Sequence, residues 1–394
     1  MKKRVFSIVL ALFLIFGSTL PAFAAKSSNP LKFDENGEFT ILHICDCQDT
    51  YPAKKEMFTY IEYMLDIYKP DLVVLGGDNT VGPKETKDEA IKELVAPFVE
   101  NEVYFTLVFG NHDHEQGIDK DKLLKMYQKH GGKYCLAYDA DPELTGTATH
   151  NLPVLSSDGN KVKFNVWLFD TNTYAYDENN PEKRIGYDSV REDQIEWYNE
   201  TYAKLEKEAG ETVHSLAFQH MVPPEVYEAM FPRFFIEMSP LTETYNNGKI
   251  YPIFLPKTSA FKGHLFEPPS PGVINYGQYD AMLENGDVTG IFAGHDHINS
   301  YEIKYKGIKI VNTPGVTFNA YGNEFTRGSR VITVKEDNTS KFDSDVITVN
   351  RLALMNKDFA KDIDTSRFTA GFWGVLGNVL LLLKRVSGIV TWIF

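Results

Sequence analysis

The chain has 394 residues, 40 basic and 54 acidic, with a net charge of −14. A composition of 43% apolar and 24% charged residues excludes a disordered or fibrous protein, and the length allows one large α/β domain or two modest ones. The acidic balance argues against a binder of long nucleic acid, whose phosphates need basic surface, and three cysteines, Cys45, Cys47 and Cys135, provide no disulfide framework.

Residues 1–24 read as a secretory signal peptide. Lys2, Lys3 and Arg4 precede the apolar run Val5 to Phe16, and Ala22-Phe23-Ala24 supplies a small-x-small cleavage pattern. The expected location is therefore secreted or in the cell envelope. Low cysteine usage fits a bacterial exported protein better than a disulfide-rich one.

Residues 38–352 alternate strand and helix patterns. Apolar runs predict strands at Phe39–Cys45, Leu72–Leu75, Tyr104–Phe109, Lys163–Phe169, Ser215–Phe218 and Thr289–Ala293, then short β-rich runs at Tyr301–Val311, Arg330–Val334 and Asp345–Val349. Helical spacing predicts Ala53–Tyr68, Lys87–Glu100, Asp119–His130 and Ser189–Glu208. Helices between the early strands imply βαβ units, and the hairpin-rich end implies a second, more antiparallel sheet. Nine of the 19 prolines fall between Pro223 and Pro271, so 221–275 reads as a loop excursion. Residues 353–367 read as a charged linker to an apolar tail, 368–394. At about 100° per residue, Phe372, Val375, Leu376, Val379, Leu382 and Leu383 share one face while Lys384 and Arg385 lie opposite. That pattern predicts a helix lying in a membrane surface through 371–394; a helix packed on protein is the alternative.

Five blocks place polar groups just after predicted strands: Asp46-Cys47-Gln48, Gly77-Asp78-Asn79, Gly110-Asn111-His112-Asp113, Gln219-His220 and Gly294-His295-Asp296-His297. In open α/β sheets the carboxyl ends of strands converge on one crevice, so these groups can meet. Carboxylate, amide oxygen and imidazole are ligands for hard or borderline divalent cations. Cys45 and Cys47 flank Asp46, and strand alternation points them away from its face, towards core packing.

These blocks resemble those of the calcineurin-like metallophosphoesterases, D-x-H, G-D, G-N-H-D/E, H and G-H-x-H. Four of the five match in full and in order across residues 46–297. Phe218 to Pro223, Gly294 to Asn299 and Asn319-Ala320-Tyr321-Gly322 further resemble a branch holding Dcr2-like and plant type-29 purple-acid-phosphatase-like proteins. The resemblance implies an α/β (α+β) fold, a β-sandwich flanked by helices with a dimetal site at the strand C-terminal ends. It implies one ion on Asp46, Asp78 and His297, a second on Asp78, Asn111, His220 and His295, and Asp78 as the bridge. The ions expected are Mn, Fe or Zn. A hydroxide bridging them would attack phosphorus, with His112 protonating the leaving oxygen and Asp113 orienting or tuning His112.

Two positions depart from the family patterns. Gln48 stands where the first block usually has His, and its amide oxygen is a weaker ligand. Val81 stands where true purple acid phosphatases have their tyrosinate, so a purple site is not expected.

The expected function is that of an exported phosphoesterase acting on mono- or diesters of a small molecule or lipid headgroup. The alternative is a non-catalytic surface module that binds a phosphorylated ligand or a partner. Arg184, Arg191, Arg327 and Arg330 are candidates for gripping a substrate phosphate. His114 and His264 are candidates for lining the cleft, while His43, His130, His150 and His214 belong to no block.

Overall fold

The structure, a computed structural model, describes residues 31–231, 242–245, 249–252 and 261–363. Residues 1–24, read above as a signal, and the tail 368–394 lie outside the described residues, among which no helix is long and apolar enough to cross a membrane.

Two sheets face each other. The first has the order Phe342–Thr348, Gly328–Lys335, Glu38–Ile44, Leu72–Gly76, Phe105–Val108, with its last three strands parallel. The second runs Phe261–Lys262, Glu302–Tyr305, Ile308–Asn312, Val288–Ala293, Ser215–Gln219, Val162–Phe169, His150–Leu155. Its four strands from Ile308–Asn312 to Val162–Phe169 are parallel, with antiparallel strands at both edges.

Both faces of each sheet are buried, which is why the central strands are continuous apolar runs rather than alternating ones. Along Glu38–Ile44, Phe39 and Ile41 meet Phe164, Phe218 and Phe292 between the sheets, while Leu42 and Ile44 point outward. The outward side of the first sheet is covered by helices Lys55–Tyr68, Lys87–Glu100 and Lys120–Gly131. Met57, Tyr60, Ile61, Met64 and Leu65 form the buried stripe of the first of these, at helical spacing. Helices Glu192–Ala209 and Gln278–Asn285 cover the second sheet. The result is a β-sandwich between helical layers.

Three expectations are corrected. The late hairpin Gly328–Lys335 and Phe342–Thr348 joins the first sheet, antiparallel to Glu38–Ile44, so neither sheet is the antiparallel one. The reason is complementarity: Ile332 and Val334 enter the same inter-sheet core as Phe39 and Ile41. The charged stretch after Leu352 is packed, as far as it is described. Phe359 and Ile363 are buried against the first helical layer, with Phe359 edge-on to Tyr60 and Tyr63. The proline-rich excursion also contains the helix Glu225–Met230 and a short antiparallel pair, Thr242–Tyr245 with Lys249–Pro252.

Candidate metal centre and active site

The five blocks meet at one end of the sandwich. Asp46, Asp78 and Asn111 follow parallel strands of the first sheet; His220, His295 and His297 follow strands of the second. Ligand atoms of Asp78, His220 and His295 lie within 4.8 Å of one another, as do those of Asp46, Asp78 and His297. Asp78 is common to both groups.

Holding these groups together strains the backbone. Asp46, Gln48, Asp78 and His295 all take positive φ, at 52°, 38°, 50° and 68°. Non-glycine residues rarely adopt this conformation, and clusters of it mark functional sites. Close approach also requires glycine at position 110, where a Cβ would lie 2.2 Å from Asp78 Oδ1.

The imidazoles are aimed by their second nitrogens. His220 Nδ1 lies 2.9 Å from Gly76 O and His297 Nδ1 lies 2.8 Å from Tyr321 O. Each Nδ1–H donates to a carbonyl, leaving Nε2 free to ligate. His220 Nε2 stands 3.3 Å from Asp78 Oδ2, and His297 Nε2 stands 3.5 Å from Asp46 Oδ1. The Tyr321 ring stacks on His297 at 4.0 Å, and the Tyr187 ring meets His295 edge-on at 4.4 Å.

The residues fit a pair of divalent cations. Asp46 and Asp78 are buried carboxylates, and Asp46 Oδ1 and both amide atoms of Asn111 are buried without hydrogen-bond partners. Unpartnered buried oxygens of this kind are costly unless a ligand satisfies them. Burial pushes the Asp46 carboxyl well up, against the pull of His220 and with the repulsion of Asp78. Burial also disfavours charge on Asp78 and His220, but their mutual attraction outweighs it. Asp78 is held well below the usual carboxylate range and His220 is raised to about 10. Burial keeps His297 down at about 4 and His295 well below its ordinary value, so both are neutral donors.

Gln48 lies in the same cluster. Its Nε2 donates to Asp78 Oδ2 at 2.9 Å, and its backbone carbonyl accepts from Asn319 Nδ2 at 2.9 Å. The amide has to turn over before its oxygen can face an ion.

His112 stands at the mouth, 39% exposed, with Nε2 4.0 Å from Asp78 Oδ2. The carboxylate on its other nitrogen belongs to Glu115, whose Oε2 lies 2.8 Å from Nδ1. The side chain that holds the His112 ring is thus Glu115, while Asp113 acts on the turn. Buried Asp113 instead accepts from the amides of Gly110 (2.8 Å), Asn79 (2.9 Å) and Thr80 (3.2 Å), tying the second and third blocks together. Glu115 escaped sequence reasoning, although a carboxylate three residues after the histidine on one tight turn was its available signal.

The other candidates separate. Arg191 is paired with Asp188 at 2.7 Å, and buried Arg330 donates to the carbonyls of Ser300 and Asn312. Arg327 is buried against Phe318 and Gly322. Arg184 is exposed on a hairpin beside His295. His114 Nε2 lies 3.3 Å from Thr173 Oγ1, and His264 stacks on Phe266. Cys45 and Cys47 are fully buried, and burial raises both thiols well above their ordinary range.

The family model described as calcineurin-like phosphoesterase matches residues 39–299. "Probable inactive purple acid phosphatase 29" of Arabidopsis thaliana is 26% identical over 356 residues, covering 84% of both chains. "Phosphatase DCR2" of Saccharomyces cerevisiae is 26% identical over 298 residues, covering 69% of this chain and 46% of that one. Among solved structures, a dimetal phosphatase from Danio rerio aligns with a TM-score of 0.43 at 13% identity, over 79% of this chain and 98% of that one. The match spans every metal-ligand candidate from Asp46 to His297, and the chain belongs to the calcineurin-like phosphoesterase family, hydrolases acting on phosphoric ester bonds.

Proposed function

We propose that this protein is an exported phosphoesterase that cleaves phosphate mono- or diesters of small molecules or lipid headgroups. The observation that carries the reading is the pair of buried ligand groups sharing Asp78. Two divalent cations held there would supply activation of water and neutralisation of charge on the phosphoryl oxygens. Asp46, Asp78 and His297 would hold one, with Gln48 in reach once its amide turns; Asp78, Asn111, His220 and His295 would hold the other.

The chain's own contributions are positional. Gly76 O and Tyr321 O fix the tautomers of His220 and His297. Asp113 fixes the turn that presents Asn111 and His112. His112, held by Glu115, faces the site from its solvent side, where it can donate a proton to the leaving oxygen.

Export is supported by the pattern of residues 1–24, and contact with a membrane surface by the one-sided tail 371–394. Vesicle binding by the full chain, compared with a chain ending at Ser366, tests the tail. Equal binding by both would remove it from this proposal.

The central experiment is hydrolysis of nitrophenyl phosphate and bis-nitrophenyl phosphate by metal-stripped protein, with Mn²⁺, Fe²⁺ or Zn²⁺ returned. Metal-dependent turnover is expected. A second reading, a non-catalytic phosphate-binding module, draws on the Gln48 amide donating to Asp78 and on the word "inactive" in the names of three Arabidopsis relatives. Metal and phosphate binding without turnover of either ester would favour it.

A further inference from the structure

The hairpin Tyr174–Asp177 and Asn180–Tyr187 is anchored to the centre at both ends. Just before it, Thr173 Oγ1 lies 3.3 Å from His114 Nε2, two residues after His112. At its end, the Tyr187 ring meets His295 at 4.4 Å, and Tyr187 O accepts from Val273 N at 3.0 Å. Between these anchors, the Arg184 guanidinium lies 3.3 Å over the Tyr174 ring and 5.2 Å from that of Tyr187. The two rings are 5.7 Å apart and form a platform for it.

Among the described residues no carboxylate pairs with Arg184, whereas its neighbours Lys183 and Arg191 are held by Asp177 and Asp188. The guanidinium, stacked on the Tyr174 ring and hydrogen-bonded to the Tyr187 hydroxyl, has lost much of its rotamer freedom already, and its remaining N–H groups suit it to bind carboxylate or phosphate. The Tyr187 ring, in contact with His295 and close to the guanidinium, connects Arg184 to the ligand groups. An anion gripped there is not the phosphoryl group seated between the ligand groups but a second group on the same molecule.

We propose that Arg184 is a specificity residue that recognises a second anionic group, a carboxylate or a second phosphate, so that small bis-anionic phosphoesters are the favoured substrates. This rests on the phosphoesterase reading of the centre.

Non-hydrolysable phosphonates test it independently of turnover. The Mn²⁺-loaded full chain is titrated calorimetrically with propylphosphonate, 4-phosphonobutanoate and propane-1,3-bisphosphonate. The second anion should tighten binding about ten- to hundredfold, the range of a charge-assisted hydrogen-bonded pair. The two bis-anionic ligands distinguish a carboxylate from a phosphate as the preferred partner. Arg184→Ala should abolish the preference, Arg184→Lys should keep part of it, and Lys183→Ala, which removes one nearby charge, should change it less than twofold. Equal wild-type affinity for all three ligands overturns the proposal. So does a preference that survives Arg184→Ala or falls equally in Lys183→Ala. Failure of the phosphoesterase reading would register separately, as absence of turnover of any phosphate ester.

Discussion

Glu115 Oε2 lies 2.8 Å from His112 Nδ1, while the opposite nitrogen of the same ring looks towards Asp78 Oδ2 at 4.0 Å. One side of the imidazole is thus occupied by a carboxylate and the other faces the reaction space. A general acid contributes typically 10²–10⁴-fold, and only where the leaving oxygen needs a proton. His112→Ala should therefore cost about 10²-fold or more on an alkyl phosphate and much less on nitrophenyl phosphate. Glu115→Gln should show the same leaving-group pattern, more weakly. Equal losses on both ester types would make the pair structural.

Asp78→Asn should remove both ions together, because Asp78 belongs to both ligand groups. Metal content by elemental analysis is expected to fall from two ions to less than one, with activity down at least about 10³-fold, a loss of the size seen when a catalytic unit is broken. Retention of two ions would mean that Asp78 does not bridge.

Gln48 offers a neutral, weaker donor, and its amide nitrogen points at Asp78. Two unequal metal affinities are expected, with the site of Asp46, Asp78 and His297 the weaker. Gln48→His should tighten that site at least about tenfold for Zn²⁺, since imidazole suits borderline ions better than an amide. Calorimetry with each metal decides this. Two equally tight sites, unaltered by the substitution, would put Gln48 outside the coordination shell.

His150 concerns stability rather than catalysis. It is buried, with Nε2 2.7 Å from Thr106 Oγ1 and Nδ1 2.7 Å from Ala148 O, and burial holds its pKa down at about 4. The folded value lies below the unfolded one of about 6.5, so the unfolded chain takes up the proton first. The contribution to stability is whole above about pH 6.5 and is lost as pH falls through 4, up to about 3 kcal/mol. Urea midpoints measured from pH 7.5 to 4 should fall less steeply in His150→Asn than in the wild type. Identical slopes would assign the acid sensitivity to other groups.

The metal-ligand candidates were legible because each is local: a glycine or an apolar run, then a ligand, at the end of a strand. Asp46, Asp78, Asn111, His220, His295 and His297 needed no knowledge of packing beyond the convergence of parallel strands. Glu115 and Asp113 show where this stops. They sit two residues apart on the same turn, and only side-chain direction assigns one to His112 and the other to backbone amides. The orientation of Gln48 is equally invisible, since either end of its amide fits the same residue name. Sheet membership was lost for a different reason. Ile332 and Val334 alternate as any half-buried strand does, and nothing in that period tells which of two sheets they complete. The charges around Phe359 likewise hid an aromatic anchor on Tyr60 and Tyr63.

The ligands are divided between the two sheets, three from each. Any ion bound there is a bolt across the seam of the sandwich, and pulling the layers apart must release it. Each tenfold excess of free ion over its dissociation constant then adds about 1.4 kcal/mol against unfolding. For the exported chain proposed above, resistance to heat and proteolysis would become a readout of local ion supply. A protein starved of metal would lose one fastening between its sheets, beside their shared core, as well as its chemistry.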